Sequence, residues 1–127
     1  MIAVPQAYIR HLDAVTSADA GGVHAAWTPS GILEFPYATS VGMPARLEGA
    51  DAIAAHFAGP GRFERWQFAG MQAWKVADAS EYVLEMHGSA TIAATGAAYE
   101  QDYIVRFGLA PDDRLAWMRE FWDPTRA

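Results

Sequence analysis

One carboxylate in this chain sits between a thioether and an indole. Side chains alternate in character from Arg114 to Pro124, so on a strand Met118, Glu120 and Trp122 share one face. Leu115, Trp117, Arg119 and Phe121 share the other, and both faces are largely apolar. A carboxylate in such a setting is costly to ionise without a partner. Glu120 is therefore either the functional group of the protein or a structural charge, satisfied by Arg106 or Arg119 or exposed at the rim of the sheet. Burial would raise its pKa into the range of a general acid/base working near neutral pH, whereas a neighbouring cation would lower it.

Other residues could join it. His56 ends a predicted helix, where the dipole favours the cationic form; it reads as a second acid/base or as a surface cap. Tyr8 lies on an apolar helical stripe, where a buried phenol is either plain core or a donor to a ligand oxygen. Tyr99, Gln101 and Tyr103 alternate with Val105 and Phe107. If their face lines a cavity, Gln101 and Tyr103 are its polar contacts; if not, they belong to a dimer sheet. Trp27, Trp66 and Trp122 are candidate cavity walls or core, and Tyr37 and Met118 complete the candidate binding set. His87 shares a strand face with Glu85 and reads as an interface residue if that face is the outer one. His11 and His24 read as helix surface. No two histidines have the i, i+4 spacing of a metal site and there are no cysteines, so neither metal nor cofactor is expected.

The elements that must position these residues change type along the chain. Pro5 followed by Tyr8, Ile9, Leu12 and Val15 predicts a first helix. Ser17 or Asp19 caps a second, carrying Val23, Ala26 and Trp27 and ended by Pro29 and Gly31. Ile32–Tyr37 reads as a brief strand that Pro36 confines to an edge or a kink. A third helix runs from about Asp51 to Ala58, stopped by Gly59-Pro60-Gly61. From Phe63 the period is two, over segments of about 63–77, 80–93, 97–108 and 114–122, which predicts an antiparallel meander. Helices first and strands after make an α+β fold, a curved antiparallel sheet wrapped around three N-terminal helices.

Composition narrows the function. With 127 residues the chain is one domain spanning 1–127, and 52% hydrophobic against 19% charged residues leaves apolar surface for a cavity or a subunit interface. A net charge of -6 with a single Lys argues against nucleic acid. No run reaches the ~18 apolar residues of a membrane span, and the N-terminus lacks a secretory pattern, so a cytoplasmic protein is expected. Gly59-Pro60-Gly61 follows a helix instead of opening one, and no Ser has an elbow setting, which sets aside phosphate-loop and serine-hydrolase chemistry.

The element order, the phrases Glu34-Phe-Pro-Tyr37 and Thr95-Gly-Ala-Ala-Tyr99, and the closing Arg119-Glu-Phe-Trp-Asp-Pro124 resemble the SnoaL-like branch of the nuclear transport factor 2-like, or ketosteroid isomerase-like, superfamily. That resemblance implies a conical cavity, a homodimer and, as in polyketide cyclase-like members, a role in secondary metabolism. Tyr8 matches the oxyanion-donor tyrosine of ketosteroid isomerases, but Phe35 stands where those enzymes carry their basic aspartate, and their second aspartate falls near Tyr103. Glu120 matches a catalytic aspartate of limonene epoxide hydrolases. With His56 it also resembles the acid/base pair of phenazine-biosynthesis A/B proteins. The expectation is a cofactor-free enzyme moving protons on an apolar carbonyl metabolite to isomerise, cyclise or condense it. Glu120 moves the proton, Tyr8 or Tyr103 stabilises the enolate, and His56 assists. A non-catalytic binder of an aromatic or polycyclic molecule is the alternative, and epoxide hydrolysis a further one.

Overall fold

Ala7, Tyr8, His11, Leu12 and Ala14 recur on one side of helix α1 (Gln6–Thr16), and all five are buried. The computed structural model describes residues 1–59 and 61–127, so the expected helix stop at Pro60 lies outside the described residues. Helix α2 (Ala20–Ala26) begins at Asp19, whose carboxylate accepts from the Gly22 amide at 2.9 Å. A Cβ on Gly22 would lie 2.6 Å from that carboxylate, so the cap requires a glycine there. Ser17, the other candidate cap, instead donates back to the Asp13 carbonyl at 2.7 Å. Helix α3 (Ala50–His56) buries Ala50, Ile53 and Ala54.

Six strands follow the order β2-β1-β6-β5-β4-β3 in one sheet, with β1 (Trp27–Glu34), β2 (Arg46–Glu48), β3 (Phe63–Lys75), β4 (Glu81–Ile92), β5 (Ala98–Leu109) and β6 (Leu115–Trp122). The meander from β3 to β6 is antiparallel, whereas β1 runs parallel to β6, so the curved and unclosed sheet is mixed. Two expectations are corrected. Helix α2 stops at Ala26, and Trp27 opens β1 with its side chain fully buried. The strand then ends at Glu34 between β2 and β6, away from any edge, and Pro36 falls outside it. The register shift between Trp27 and Ile32 accommodates Pro29, which has no N–H to offer a ladder.

Bulges decide which face several side chains occupy. In β6, Leu115 pairs with Leu109 and Trp117 with Gly108, so Ala116 is the extra residue. Leu115 thereby turns to the inner face, fully buried together with Met118, and not outward with Trp117 as simple alternation predicts. In β3 the register shifts between Glu64 and Gln67, where Arg65 has φ 57°. Beside that shift the rings of Trp66 and Phe68 lie 5.4 Å apart and nearly parallel. Among the described residues no helix is long and apolar enough to cross a membrane.

Candidate functional site

The inner face of the sheet and the helices enclose a cavity of about 380 Å³. Tyr99, Gln101, Tyr103, Val105 and Phe107 are all buried along β5, so their face is the inner one. Across from them on β6, Glu120 pairs with Val105 and faces the cavity beside Trp122. Six of the ten candidate residues line this space: Glu120, His56, Tyr8, Tyr103, Trp66 and Trp122.

The other four lie elsewhere, each for a physical reason. Met118 and Trp27 are 1% and 0% exposed, packed into the core under the cavity. Gln101 is fully buried with both ends of its amide engaged, donating to the Tyr99 hydroxyl at 3.0 Å and to the Asp123 carbonyl at 2.9 Å. Tyr37 is about half exposed and leans on Phe121 across an open depression on the outer face.

Glu120 keeps a charged partner at a distance on every side. Arg119, on the outer face, lies 3.5 Å from Glu34, and Arg106 lies over the Trp117 ring at 5.8 Å, so neither cation turns inward. No described side chain hydrogen-bonds or ion-pairs with the Glu120 carboxylate. Burial pushes its pKa up from 4.5 to about 7. It still meets the cavity, so a ligand or water can reach its proton.

Two phenols surround the carboxylate. Burial raises the pKa of Tyr8 well above its ordinary value, and the Glu120 charge adds to the shift. Tyr103 is raised by burial first and then by Glu120 and Tyr99. Both hydroxyls therefore stay protonated at any working pH and can only donate or accept hydrogen bonds. Among the described residues the Tyr8 hydroxyl has only a weak acceptor, Met86 Sδ at 3.8 Å, which leaves it available for a better one.

His56 behaves opposite to the dipole argument. Its ring packs against Phe57 at 4.8 Å and Phe35 at 5.8 Å, and the burial lowers its pKa. Desolvation outweighs the terminal field of a helix of only 7 residues. His11 was expected on the surface but is 4% exposed and lines the cavity. Its position three residues after Tyr8 on the apolar stripe was the available signal. Phe35, Phe57, Phe63 and Phe68 also line the cavity, and Phe63 stacks on Tyr99 at 4.2 Å. His24 is at the surface as expected, 2.8 Å from Asp51.

The outer depression, about 840 Å³, is larger and shallow. His87 lies on it between Asp102, 2.7 Å from Nδ1, and Glu100, 2.6 Å from Nε2. Those hydrogen bonds raise the His87 pKa. No group of three or more His, Asp or Glu side chains among the described residues is arranged to hold a metal ion.

The SnoaL-like domain family matches residues 8–118. This chain belongs to that family. An uncharacterised PhzA/B-like protein of Pseudomonas aeruginosa is 31% identical to the SnoaL-like chain over 118 residues, covering 93% of this chain and 82% of the relative. A provisional isomerase from Bacillus subtilis has a crystal structure that superposes with a TM-score of 0.84 at 24% identity, covering 94% of this chain and 86% of that one. A Catenulispora acidiphila protein with a ketosteroid isomerase-like fold, solved with trimethylamine, reaches 0.79 at 10% identity, with 97% and 89% covered. The SnoaL-like chain thus has the nuclear transport factor 2-like, ketosteroid isomerase-like cone fold, whose members include isomerases, cyclases and epoxide hydrolases.

Proposed function

We propose that this SnoaL-like protein is a cofactor-free enzyme that moves a proton on an apolar carbonyl compound, isomerising, cyclising or condensing it. The observation that carries the reading is Glu120, a carboxylate with a pKa of about 7 and no described ionic partner, open to a cavity walled by aromatic rings. At neutral pH such a group exists in both protonation states, which is what a general acid/base needs. Glu120 takes a proton from the carbon beside the carbonyl. Tyr8 and Tyr103, kept protonated by burial, donate to the oxygen as it gains charge. His56, neutral for the same reason, serves as the second acid/base. The aromatic walls exclude water and hold the ring system. The reading also takes the protein to be a cytoplasmic homodimer acting on a secondary metabolite.

The test uses 2-tetralone, a bicyclic ketone with acidic α-protons, in deuterated water. Deuterium uptake followed by proton NMR is expected to accelerate with the wild type. In Glu120→Gln the acceleration falls by the ~100- to 10,000-fold of a lost general acid/base. Equal rates for the two proteins would sink the mechanism.

A second reading is a binder of an aromatic or polycyclic molecule, supported by the stacked pairs Phe63–Tyr99 and Trp66–Phe68 in the cavity wall. Tight binding of tetralone without any deuterium uptake would favour it. Epoxide hydrolysis with Glu120 activating water is a third, and it predicts labelled water oxygen in a diol product.

A further inference from the structure

His11 reaches the cavity from α1, and Trp27 decides which of its ring nitrogens carries the proton. The indole Nε1 of Trp27 lies 3.0 Å from His11 Nδ1. An indole nitrogen only donates, so Nδ1 must accept and cannot itself be protonated. Burial lowers the His11 pKa to about 4, which keeps the ring neutral near pH 7. Its single proton is then on Nε2.

The ring is held in place. Trp27 is wholly buried, and Phe57 packs edge-on against the imidazole at 5.8 Å. Nε2 has no hydrogen-bond partner among the described residues. It is also not a sealed atom, because Arg119 Nε is the one covered side-chain nitrogen or oxygen among them without a hydrogen-bond partner. The open side of Nε2 is the cavity that His11 lines with Tyr8 and Glu120.

We propose that His11 Nε2–H, held in that tautomer by Trp27, is the hydrogen-bond donor for a carbonyl oxygen of a flat, bicyclic or larger apolar ligand. A neutral imidazole donates without the cost of burying a cation, and its bond strengthens as the oxygen gains charge. Trp27 is accordingly a positioning residue, acting through His11. The inference deepens the reading of this cavity as a carbonyl site and rests on it.

The experiment compares 2-tetralone with tetralin, the same skeleton without the oxygen, by quenching of tryptophan fluorescence. Wild type is expected to prefer the ketone. His11→Phe should lower that preference, read as the ratio of ketone to tetralin affinity within the same protein, about tenfold, and His11→Gln should restore most of it. The glutamine carbonyl can accept from Trp27 while its amide presents a donor to the cavity. In the wild type, imidazole ¹⁵N spectra should show Nδ1 unprotonated and the Nε2–H signal moving with tetralone but not tetralin. An Nδ1 proton, or a ketone preference unchanged in His11→Phe, would overturn the assignment. If the preference falls in Glu120→Gln and not in His11→Phe, the donor is elsewhere. The acid/base role of Glu120 then still stands or falls on deuterium exchange, which these binding measurements do not require.

Discussion

Gln101 clasps Asp123 by both ends of its backbone unit: its side-chain amide donates to the Asp123 carbonyl at 2.9 Å, and its Oε1 accepts from the Asp123 amide at 3.0 Å. The same side chain donates to the Tyr99 hydroxyl at 3.0 Å and accepts from the Asp102 amide at 3.2 Å. One residue thus ties the end of β6 to β5, immediately beside the cavity wall at Trp122 and Tyr99. Replacement by Leu roughly keeps the volume but removes the side-chain partner of a buried hydroxyl and of three backbone groups. Gln101→Leu should cost about 3 kcal/mol in urea unfolding, from unsatisfied polar groups of about 1–3 kcal/mol each. Tetralone binding should weaken as Trp122 loosens, and a loss below about 1 kcal/mol would show that the clasp is not fixing the segment.

Glu120 and His11 pull stability in opposite directions as pH changes. The folded Glu120 holds its proton to about 7 and the unfolded one releases it near 4.5, so the folded state carries more protons in that window and stability falls as pH rises through it. The cost is fully present above about pH 7. His11 runs the other way: the unfolded ring takes a proton below 6.5 and the folded ring only below about 4, so stability is lost as pH falls. Each shift is worth up to about 3 kcal/mol. The two slopes largely cancel between pH 4.5 and 6.5. Glu120→Gln should therefore gain stability as pH rises from 4.5 to 6.5, and His11→Gln should lose it. Urea unfolding at four pH values checks this, and parallel curves for all three proteins would contradict both assignments.

Catalysis should follow the same carboxylate. A general base that is ionised only above about pH 7 makes the second-order rate of deuterium exchange climb with pH and level off above that value. A plateau already reached at pH 5 would mean that Glu120 is ionised like an exposed carboxylate and that another group takes the proton.

How far these residues could be read in the chain alone depends on alternation. On β5 the period of two is unbroken, and the pairing of Tyr99, Gln101 and Tyr103 on one face follows directly from it. What alternation could not say is which face was inside, nor that Gln101 would spend its amide on Asp123, a contact between elements 22 residues apart. The bulges at Ala116 and Arg65 are single-residue insertions with no signature of their own, and each reverses the parity after it. Leu115 departs from simple alternation with Trp117 for that reason. Trp27 looked helical because it continues the spacing of Val23 and Ala26, but the tertiary pairing with Leu115 draws it into β1. His11 looked like surface because a histidine on a helix usually is. Its burial depends on an indole partner 16 residues away.

Gly88 lies directly behind two rings of the cavity wall. A Cβ there would lie 2.9 Å from Tyr103 Cε2 and 3.0 Å from Phe68 Cε1, both rings of the wall. Gly88→Ala must push them into the space, at a cost of about 1–3 kcal/mol for overpacking. Tetralone affinity should fall more than that of a single-ring ketone such as cyclohexanone. Equal losses for both would show that the rings yield outward instead.

We propose the outer face of the sheet as the contact surface of the homodimer included in the proposed function. Ile104 is 48% exposed there and pairs across the strands with Phe121, on which Tyr37 leans. In a two-fold interface every residue occurs twice, so Ile104→Lys places two ammonium groups into one contact. Like charges brought together there cost several kcal/mol, enough to weaken association at least tenfold. The cavity lies on the opposite face, so tetralone binding per chain should be unchanged. Sedimentation velocity of wild type and Ile104→Lys across a concentration series decides the matter. A wild type that sediments as a monomer at every concentration would remove the dimer from the proposal, and a mutant that stays dimeric would move the interface away from Ile104.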